Sequence, residues 1–215
     1  MSQNQPAKSG KIRQENLRRI LQAAEKSFVE HGYKGTSMQS IADRAELPKA
    51  NVLYYFKSKE ALYTAVLEQI SARWDTTLDD ISEDDDPAET LACYIAVKVD
   101  LAIRYPDASK IFASEIIHGA PHLKEHLRTT LRPWVREKTR VMNLWIEQGK
   151  MPQVDTEHLI YMIWSSTQHY ADFETQILTV SNKQEYDADD IASIKHFLIR
   201  MILGGVGLEV PDWAK

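Results

Sequence analysis

Apolar residues recur along much of the chain at spacings of three and four residues, which is the period of an amphipathic helix. The first such stripe begins near Arg13 and consists of Leu17, Ile20, Leu21, Ala24 and Phe28. It ends at the sequence HGYKG, in which Gly32 can cap a helix C-terminus. The pattern therefore predicts a first helix from about residue 13 to Gly32.

Two shorter helices are predicted directly after the first. Thr36 and Ser37 can cap a helix of barely two turns. The sequence ELP then turns the chain, and Pro48 suits the first position of a third helix that runs to about Tyr55. Ser58 can cap a fourth helix, which we expect to continue to about residue 81.

The rest of the chain also has helical periodicity, at about residues 88–104, 107–118, 122–149, 155–180 and 188–203. No strand-like alternation is present, and the acidic run SEDDDP is interpreted as a solvated loop. We therefore predict an all-α protein. Its expected parts are a disordered tail at residues 1–12, a three-helix helix-turn-helix head at 13–60 and a helical bundle at 61–215.

Charge is divided between the predicted head and bundle. Residues 1–60 contain 11 Lys/Arg and 6 Asp/Glu, whereas residues 61–215 contain 15 and 25. A basic head on an acidic bundle indicates that one end alone meets a polyanion. No apolar run reaches the roughly 18 residues of a membrane span, and the N-terminal sequence lacks the apolar segment of a secretory signal. We expect a cytoplasmic protein without a membrane partner.

Two short helices joined by a tight turn are the helix-turn-helix arrangement, which places its second helix in a DNA major groove. On the predicted third helix, Asn51 can read a base edge. The residues that can meet phosphates are Lys49, Tyr54, Lys57 and Lys59. The alternative is a helical small-molecule carrier or scaffold whose basic head binds an acidic protein, and preference for one DNA palindrome distinguishes the two.

The sequence GTSMQSIADRAELPKANVLYYFKSKEALY resembles the DNA-binding head of the TetR family of bacterial transcriptional regulators, over about residues 13–63. The resemblance implies an all-α homodimer that binds operator DNA, holds a small effector in its C-terminal bundle and pairs through two late helices. Glu46 stands where the family usually has the turn glycine, and Leu53 where it often has tyrosine, so we expect strain at residue 46 and altered phosphate contacts. The predicted DNA-contacting residues are Thr36, Ser37, Gln39, Lys49, Ala50, Asn51, Tyr54, Tyr55, Lys57 and Lys59.

Three segments, NVLYYFKSKEALY, YPDASKIFASEIIHGAP and HLIYMIWSSTQHYADF, resemble the RutR-like subgroup of this family, the pyrimidine-utilisation regulators. That resemblance implies uracil or thymine as the effector. On a helix, Trp164, Gln168 and Asp172 share one stripe, which offers a planar heterocycle an aromatic face and a primary amide. The predicted effector-contacting residues are Trp74, Tyr94, Lys98, Glu115, Tyr161, Trp164, Ser165, Gln168 and Asp172.

Two alternatives to a pyrimidine site are open. The aromatic residues can be core or dimer contacts, with Asp172 solvated. An apolar or cationic effector could also occupy an aromatic cage made by Trp164, Tyr161 and Tyr94.

A last apolar stripe predicts the dimer interface. It consists of Ile191, Ile194, Phe197, Leu198, Met201 and Ile202. Together with the long helix that starts near Asp155, this stripe can form a symmetric four-helix interface. The alternative is an internal core helix.

Few residues are arranged for other chemistry. The single Cys93 cannot form an intrachain disulfide and is interpreted as a small core residue rather than a reactive thiol. His122 and His126 are four residues apart, but Gly119 and Pro121 break the helix before them, so exposed histidines are favoured over a metal site. No phosphate-binding glycine loop or nucleophile motif is present. We expect no enzyme activity, no cofactor and no metal.

Overall fold

The structure is a computed structural model that describes residues 5–75 and 78–215. The described chain is built from helices and the turns between them. The helices of its first half are α1 (Gln5–Gly35), α2 (Met38–Arg44), α3 (Lys49–Tyr55), α4 (Lys59–Asp75), α5 (Pro87–Arg104) and α6 (Pro106–Ile117). Then follow α7 (Lys124–His126), a π-helical segment (Leu127–Leu131), α8 (Arg132–Glu147), α9 (Thr156–Asp172), α10 (Glu174–Val180), α11 (Ala188–Gly205) and a 3₁₀ turn (Asp212–Ala214).

The chain forms two compact units. The head unit comprises residues up to Ile70 together with Lys110–Lys124, and the body unit comprises Ser71–Ser109 together with Glu125–Lys215. The sequence placed residues 110–124 in the bundle and the boundary at residue 60, so the packing divides the chain differently. The roles assigned to residues 1–12, 13–60 and 61–215 stay predictions. Residues 1–4 of the tail lie outside the described residues, and α1 begins at Gln5 rather than near Arg13.

In the head unit, local sequence signals account for where the helices begin and end. Gly32 has φ 66°, a left-handed conformation that interrupts α1 near its C-terminal end. The Ser37 side chain accepts a hydrogen bond from the Ser40 backbone N–H, and the Ser40 side chain accepts one from the Ser37 N–H, which makes a reciprocal cap for α2. The Ser58 hydroxyl likewise caps α4 by accepting from the Ala61 N–H at 3.1 Å.

The turn between α2 and α3 contains the strained residue that the sequence predicts. Glu46 has φ 51°, a conformation that glycine adopts without steric cost. Arg19 of α1 compensates, because its guanidinium donates to the Ala45 carbonyl at 2.6 Å and to the Glu46 carbonyl at 3.3 Å. The same guanidinium lies 3.3 Å from the Glu46 carboxylate, so α1 fixes the shape of the turn.

In the body unit, α5 packs against both α9 and α11. The buried face of α5 includes Leu91, Tyr94, Ile95, Lys98 and Val99. Cys93 lies on the other side of this helix and is exposed, so the prediction that it is a core residue was wrong. The neighbouring buried positions recur every three or four residues, and residue 93 falls outside that stripe.

Three further predicted helices differ in the structure. The fourth helix ends at Asp75 rather than near residue 81, and residues 76 and 77 of its predicted extension lie outside the described residues. The helix predicted at 155–180 is divided at Phe173 into α9 and α10. The helix predicted at 122–149 contains a π-helical segment. No helix within the described ranges is both long enough and apolar enough to cross a membrane.

Candidate functional site

The N-terminal end of α3 forms an exposed polar surface in the head unit. Val52 is fully buried and anchors the helix, while Lys49, Ala50 and Asn51 are exposed. Tyr54 is 73% exposed. Lys57 is also exposed, just before α4. These residues are free to contact an external partner in the way that the sequence predicts.

Lys59 is used inside the head unit instead. Its ammonium group donates to the Tyr33 carbonyl at 2.7 Å and to the Thr36 carbonyl at 2.9 Å, and it lies 4.5 Å from the centre of the Tyr33 ring. The Thr36 side chain is buried, and its hydroxyl donates to the Ser27 and Gly32 carbonyls at 2.9 and 2.8 Å. We therefore revise the predicted phosphate-binding roles of Lys59 and Thr36, because both side chains hold α1, α2 and α4 together.

Three other residues that were predicted to contact DNA each make a side-chain hydrogen bond within the head unit. Ser37 is exposed at the start of α2, where its hydroxyl is engaged in the cap with Ser40. Gln39 is exposed, and its amide donates to the Asp43 carboxylate at 2.8 Å. The Tyr55 hydroxyl donates to the Arg13 carbonyl at 3.3 Å, which ties α3 to α1.

Glu115, which was predicted to contact the effector, belongs to the head unit. Only 4% of the residue is exposed, and its carboxylate accepts a hydrogen bond from the His122 backbone N–H at 2.6 Å. The His122 Nδ1 lies 3.3 Å from the other carboxylate oxygen, and the His122 ring packs against Tyr33 and Tyr63 at 4.5 and 5.1 Å between ring centres. Glu115 is therefore removed from the candidate effector site.

The same cluster changes the acidity of its phenols. Burial raises the pKa of Tyr63, and the nearby Glu115 carboxylate raises it further by charge repulsion and hydrogen bonding. Burial also raises the pKa of Tyr33. Both phenols therefore stay protonated at neutral pH.

In the body unit, the candidate effector site is built on α4, α5 and α9. Lys98 is only 4% exposed, and its ammonium lies 4.9 Å from the centre of the buried Trp74 ring. Tyr94, one turn earlier on α5, accepts a hydrogen bond at its hydroxyl from the Trp164 indole N–H at 2.7 Å. A lysine is rarely buried to this extent, so this interior is chemically unusual.

The α9 stripe lies half-buried in the same unit. Trp164, Gln168 and Asp172 are all partly buried, whereas the neighbouring Ser165 and Tyr161 are exposed. Ser165 donates to the Met162 carbonyl within its own helix, and the Tyr161 hydroxyl donates to Glu157 at 2.6 Å. The structure thus brings three of the α9 predictions together and directs two to the surface.

Sequence reasoning missed several residues of this region. Ser109 is fully buried, and its hydroxyl donates to the Asp172 carboxylate at 2.6 Å. The Trp134 ring lies 6.1 Å from that of Trp164, and the buried Lys138 lies 5.8 Å from the Trp134 ring while donating to the Asp79 carbonyl at 2.8 Å. Apart from the contact between Lys138 and Trp134 within α8, these contacts join positions 30 or more residues apart in sequence, so no local pattern could have identified them.

The apolar stripe of α11 is divided between two environments. Ile194, Leu198 and Ile202 are buried in the body core. Phe197 and Met201, which are one turn apart, are 54% and 58% exposed. Phe197 and Met201 are therefore the exposed members of the predicted dimer stripe, and Ile191 is partly buried. Among the described residues, no group of three or more His, Cys, Asp or Glu side chains is placed to hold a metal ion.

Comparison with known proteins assigns the two parts of the chain. Residues 20–66 match the family described as bacterial regulatory proteins of the tetR family, and residues 67–209 match the YcdC-like protein C-terminal region. The chain belongs to the TetR family. It is a ligand-responsive transcriptional regulator, not an enzyme, and the sequence-based prediction of this family is confirmed.

Two transcriptional regulators are similar to this chain over most of its length. The HTH-type transcriptional regulator RutR of Escherichia coli strain K12 is 40% identical over 87% of this chain and 88% of its own length. The HTH-type transcriptional repressor NicS of Pseudomonas putida is 32% identical over 61% of each chain. A solved structure, the transcriptional regulator FadR from Bacillus subtilis in complex with stearoyl-CoA, has a TM-score of 0.67 at 19% identity, with 88% of this chain and 98% of FadR covered. That likeness supports the TetR-type all-α fold.

Proposed function

We propose that this TetR-family protein is a repressor that binds a palindromic operator as a homodimer and leaves the DNA when a pyrimidine base, such as uracil or thymine, binds the body unit. The exposed surface of Lys49, Asn51, Tyr54 and Lys57 supports α3 as the helix that reads the operator. Similarity to NicS, which is named as a repressor, supports repression rather than activation.

The observation that carries the effector proposal is the half-buried stripe of Trp164, Gln168 and Asp172 on α9. Uracil has two carbonyl acceptors on either side of an N–H donor on a flat ring. The Gln168 amide can donate one hydrogen bond and accept another, and the Trp164 ring can cover one face. Lys98 on the adjacent helix α5 can donate to a second carbonyl.

The proposed regulation needs two conformations of the dimer. The two α3 helices must lie roughly 34–36 Å apart to enter successive major grooves. An effector that binds more tightly to a dimer with a different α3 spacing favours that conformation over the one that binds operator. The operator affinity can fall by no more than the difference between the effector's affinities for the two conformations. Release of DNA is then the direct consequence of effector binding.

The experiment is titration calorimetry of the full chain with uracil, thymine and dihydrouracil, combined with operator release by each. Leaving a buried polar ligand atom without a partner costs about 1–3 kcal/mol, so Gln168→Leu should weaken pyrimidine binding by roughly tenfold to a hundredfold while operator binding persists. Gln184→Leu is the matched control, because Gln184 is exposed. If all three bases give no heat and release no DNA at millimolar concentration, the pyrimidine proposal fails and the assignment to the TetR family stands.

A second candidate is a cationic or larger apolar effector. It is favoured by the aromatic group of Trp134, Trp164 and Tyr161, whose ring centres lie 6.1 and 5.8 Å apart in succession. Aromatic faces of this kind attract cations, and the Lys138 ammonium already lies 5.8 Å from the Trp134 ring. Binding of a quaternary ammonium compound that is lost in Trp164→Ala, with no response to pyrimidines, would support this candidate instead.

A further inference from the structure

One strongly charged surface of the body unit takes no part in the proposed DNA or effector sites. Arg128, Arg132, Arg136 and Arg140 follow one another at four-residue spacing through the π-helical segment and α8, and all four are exposed. Residues four apart lie on one face of a helix, so these guanidinium groups form a continuous row, which we call the arginine ridge. Residues 61–215 are acidic as a whole, yet five of their 15 Lys/Arg residues fall between residues 125 and 147.

The stability of the isolated body unit does not account for the arginine ridge. Like charges four residues apart on a helix are destabilising, and the ridge contains three such pairs in succession. Its two ends are relieved by acidic neighbours, since Arg128 contacts Glu125 at 2.9 Å and Arg140 contacts Glu137 at 2.7 Å. The side chains of Arg132 and Arg136 in its centre make no hydrogen bond or ion pair within residues 5–75 and 78–215.

An acidic surface lies beside the ridge in the same unit. Residues 83–86 read EDDD and form an exposed turn before α5, which we call the acidic loop. The loop is held onto the C-terminal end of α8, because Trp145 donates to the Ser82 carbonyl at 2.9 Å and Lys150 donates to the Glu83 carbonyl at 2.6 Å. The pKa of Arg140 is raised mainly by its hydrogen bond to Glu137, and the Glu83 charge adds to the effect. The ridge and the loop therefore form one surface that carries both signs side by side.

We propose that this surface binds a second copy of the chain, with the arginine ridge of each copy against the acidic loop of the other. A patch that carries positive and negative halves is complementary to itself after a rotation of 180°, which is the condition for a two-fold symmetric contact. Arginine suits such a contact, because its planar guanidinium can form paired hydrogen bonds with a carboxylate. The contact does not use α11, so it would join two dimers that are each formed through their C-terminal helices.

Salt controls a contact of this kind. Exposed ion pairs contribute little individually and are screened when the ionic strength rises, since the Debye length falls from about 10 Å at 0.1 M to about 3 Å at 1 M. The association should therefore be visible at low ionic strength and at high protein concentration, and it should depend on several charges acting together. Dimers brought together on neighbouring operators would reach that concentration locally.

Sedimentation velocity of the full chain tests the proposal at about 0.05 M and about 0.5 M NaCl. At low salt we expect a species twice the size of the one present at high salt. The double variant Arg132→Glu, Arg136→Glu and the double variant Glu83→Lys, Asp84→Lys should each weaken this association by at least about tenfold, because like charges then face each other. Arg104→Glu, the same type of change at an exposed arginine of α5, is the control and should associate like wild type.

The decisive measurement mixes the two double variants. Their reversed charges are complementary to one another, so the mixture should regain the larger species that neither forms alone. The proposal is overturned if wild type does not form the larger species at low salt, if the ridge variant associates like wild type, or if the mixture of the two double variants does not form the larger species. Operator binding and effector release measured at about 0.5 M NaCl report separately on the proposed function, since the contact is screened there.

Discussion

Lys59 illustrates how the surroundings of one side chain decide its role. A lysine at the start of α4, next to a DNA-reading helix, has the charge and position expected of a phosphate contact. Its ammonium instead satisfies the carbonyls of Tyr33 and Thr36 at 2.7 and 2.9 Å. Lys57, two residues earlier, is exposed and has its charge available for DNA.

This difference predicts opposite effects of two alanine substitutions. Lys57→Ala should reduce the slope of log operator affinity against log salt by about 0.9, because one phosphate contact is lost, and should leave folding stability unchanged. Lys59→Ala should lower the free energy of unfolding by about 1.5–3 kcal/mol, since it removes hydrogen bonds from a charged donor, with the salt slope unchanged. Operator titrations at several salt concentrations and urea unfolding measure the two quantities. A reduced salt slope with unchanged stability in Lys59→Ala would contradict this assignment.

The phenol of Tyr186 predicts a pH dependence of stability. Burial raises the pKa of Tyr186 to about 12, and nearby Glu174 adds to the rise. An unfolded tyrosine has a pKa of about 10, so the folded state keeps this proton at pH values where the unfolded state loses it. The contribution is fully present below about pH 10 and is lost as the pH rises through about 12.

We therefore expect the urea midpoint to fall between about pH 9 and about pH 11.5, less steeply in Tyr186→Phe than in wild type. Tyr54→Phe is the control, because Tyr54 is 73% exposed. Parallel pH profiles for wild type and Tyr186→Phe would show that this phenol titrates normally in the folded state.

At the scale of elements, α11 has two apolar faces where the sequence suggests a single stripe. Its inner face, with Ile194, Leu198 and Ile202, completes the body core against α5. Its outer face presents Phe197 and Met201 to solvent, and Met162 of α9 is exposed as well, as is Phe173 directly after this helix. Large apolar side chains exposed together on neighbouring helices are characteristic of an interface between subunits. The two expectations for α11, a core helix and a dimer helix, therefore apply to different faces.

A double substitution on the outer face tests the dimer. Phe197→Asp with Met201→Asp should produce a folded monomer at micromolar concentration, because it places charge in the centre of the interface without changing the inner face. Ile117→Asp is the matched control, since this exposed isoleucine lies on α6 in the head unit. Sedimentation and circular dichroism together decide the outcome. If the double variant is folded and remains dimeric, the dimer interface does not include Phe197 and Met201.

For the molecule as a whole, charge and symmetry limit how it can meet DNA. The basic residues 1–60 attract a duplex while the acidic remainder repels it, so each protomer should contact DNA through its head unit alone. A dimer with one reading helix per protomer then requires two half-sites on the same face of the duplex.

Operator spacing tests this arrangement. Half-sites separated by one helical turn, about 10–10.5 bp between centres, should bind tightly, and insertion of about 5 bp should abolish specific binding because the second half-site turns to the opposite face. Gel-shift titrations with spacer variants measure the effect. Unchanged affinity after the insertion would mean that a single head unit accounts for the specificity. An insertion of similar length outside the half-sites controls for the change in DNA length.

The sequence alone determined the helices, most of their ends and the TetR-type helix-turn-helix, because each depends on residues close together in the chain. The 3.6-residue periodicity predicts α1 and α5, Ser37 and Ser58 act as caps where the sequence places them, and Gly32 interrupts α1 near the predicted end. The strain at Glu46 was also predictable, since it follows from a single side chain in a turn that usually holds glycine.

The tertiary structure decided which charged and polar residues face inward. Lys59 and Glu115 both looked like groups for an external partner, yet their neighbours Thr36 and His122 hold them inside the head unit. The exposure of Cys93 also depends on packing between helices far apart in sequence. A periodic pattern marks the apolar face of a helix but cannot say which other helix covers it. That choice is made by side-chain shape and hydrogen bonding between distant segments, as the contact of Ser109 with a carboxylate 63 residues away shows.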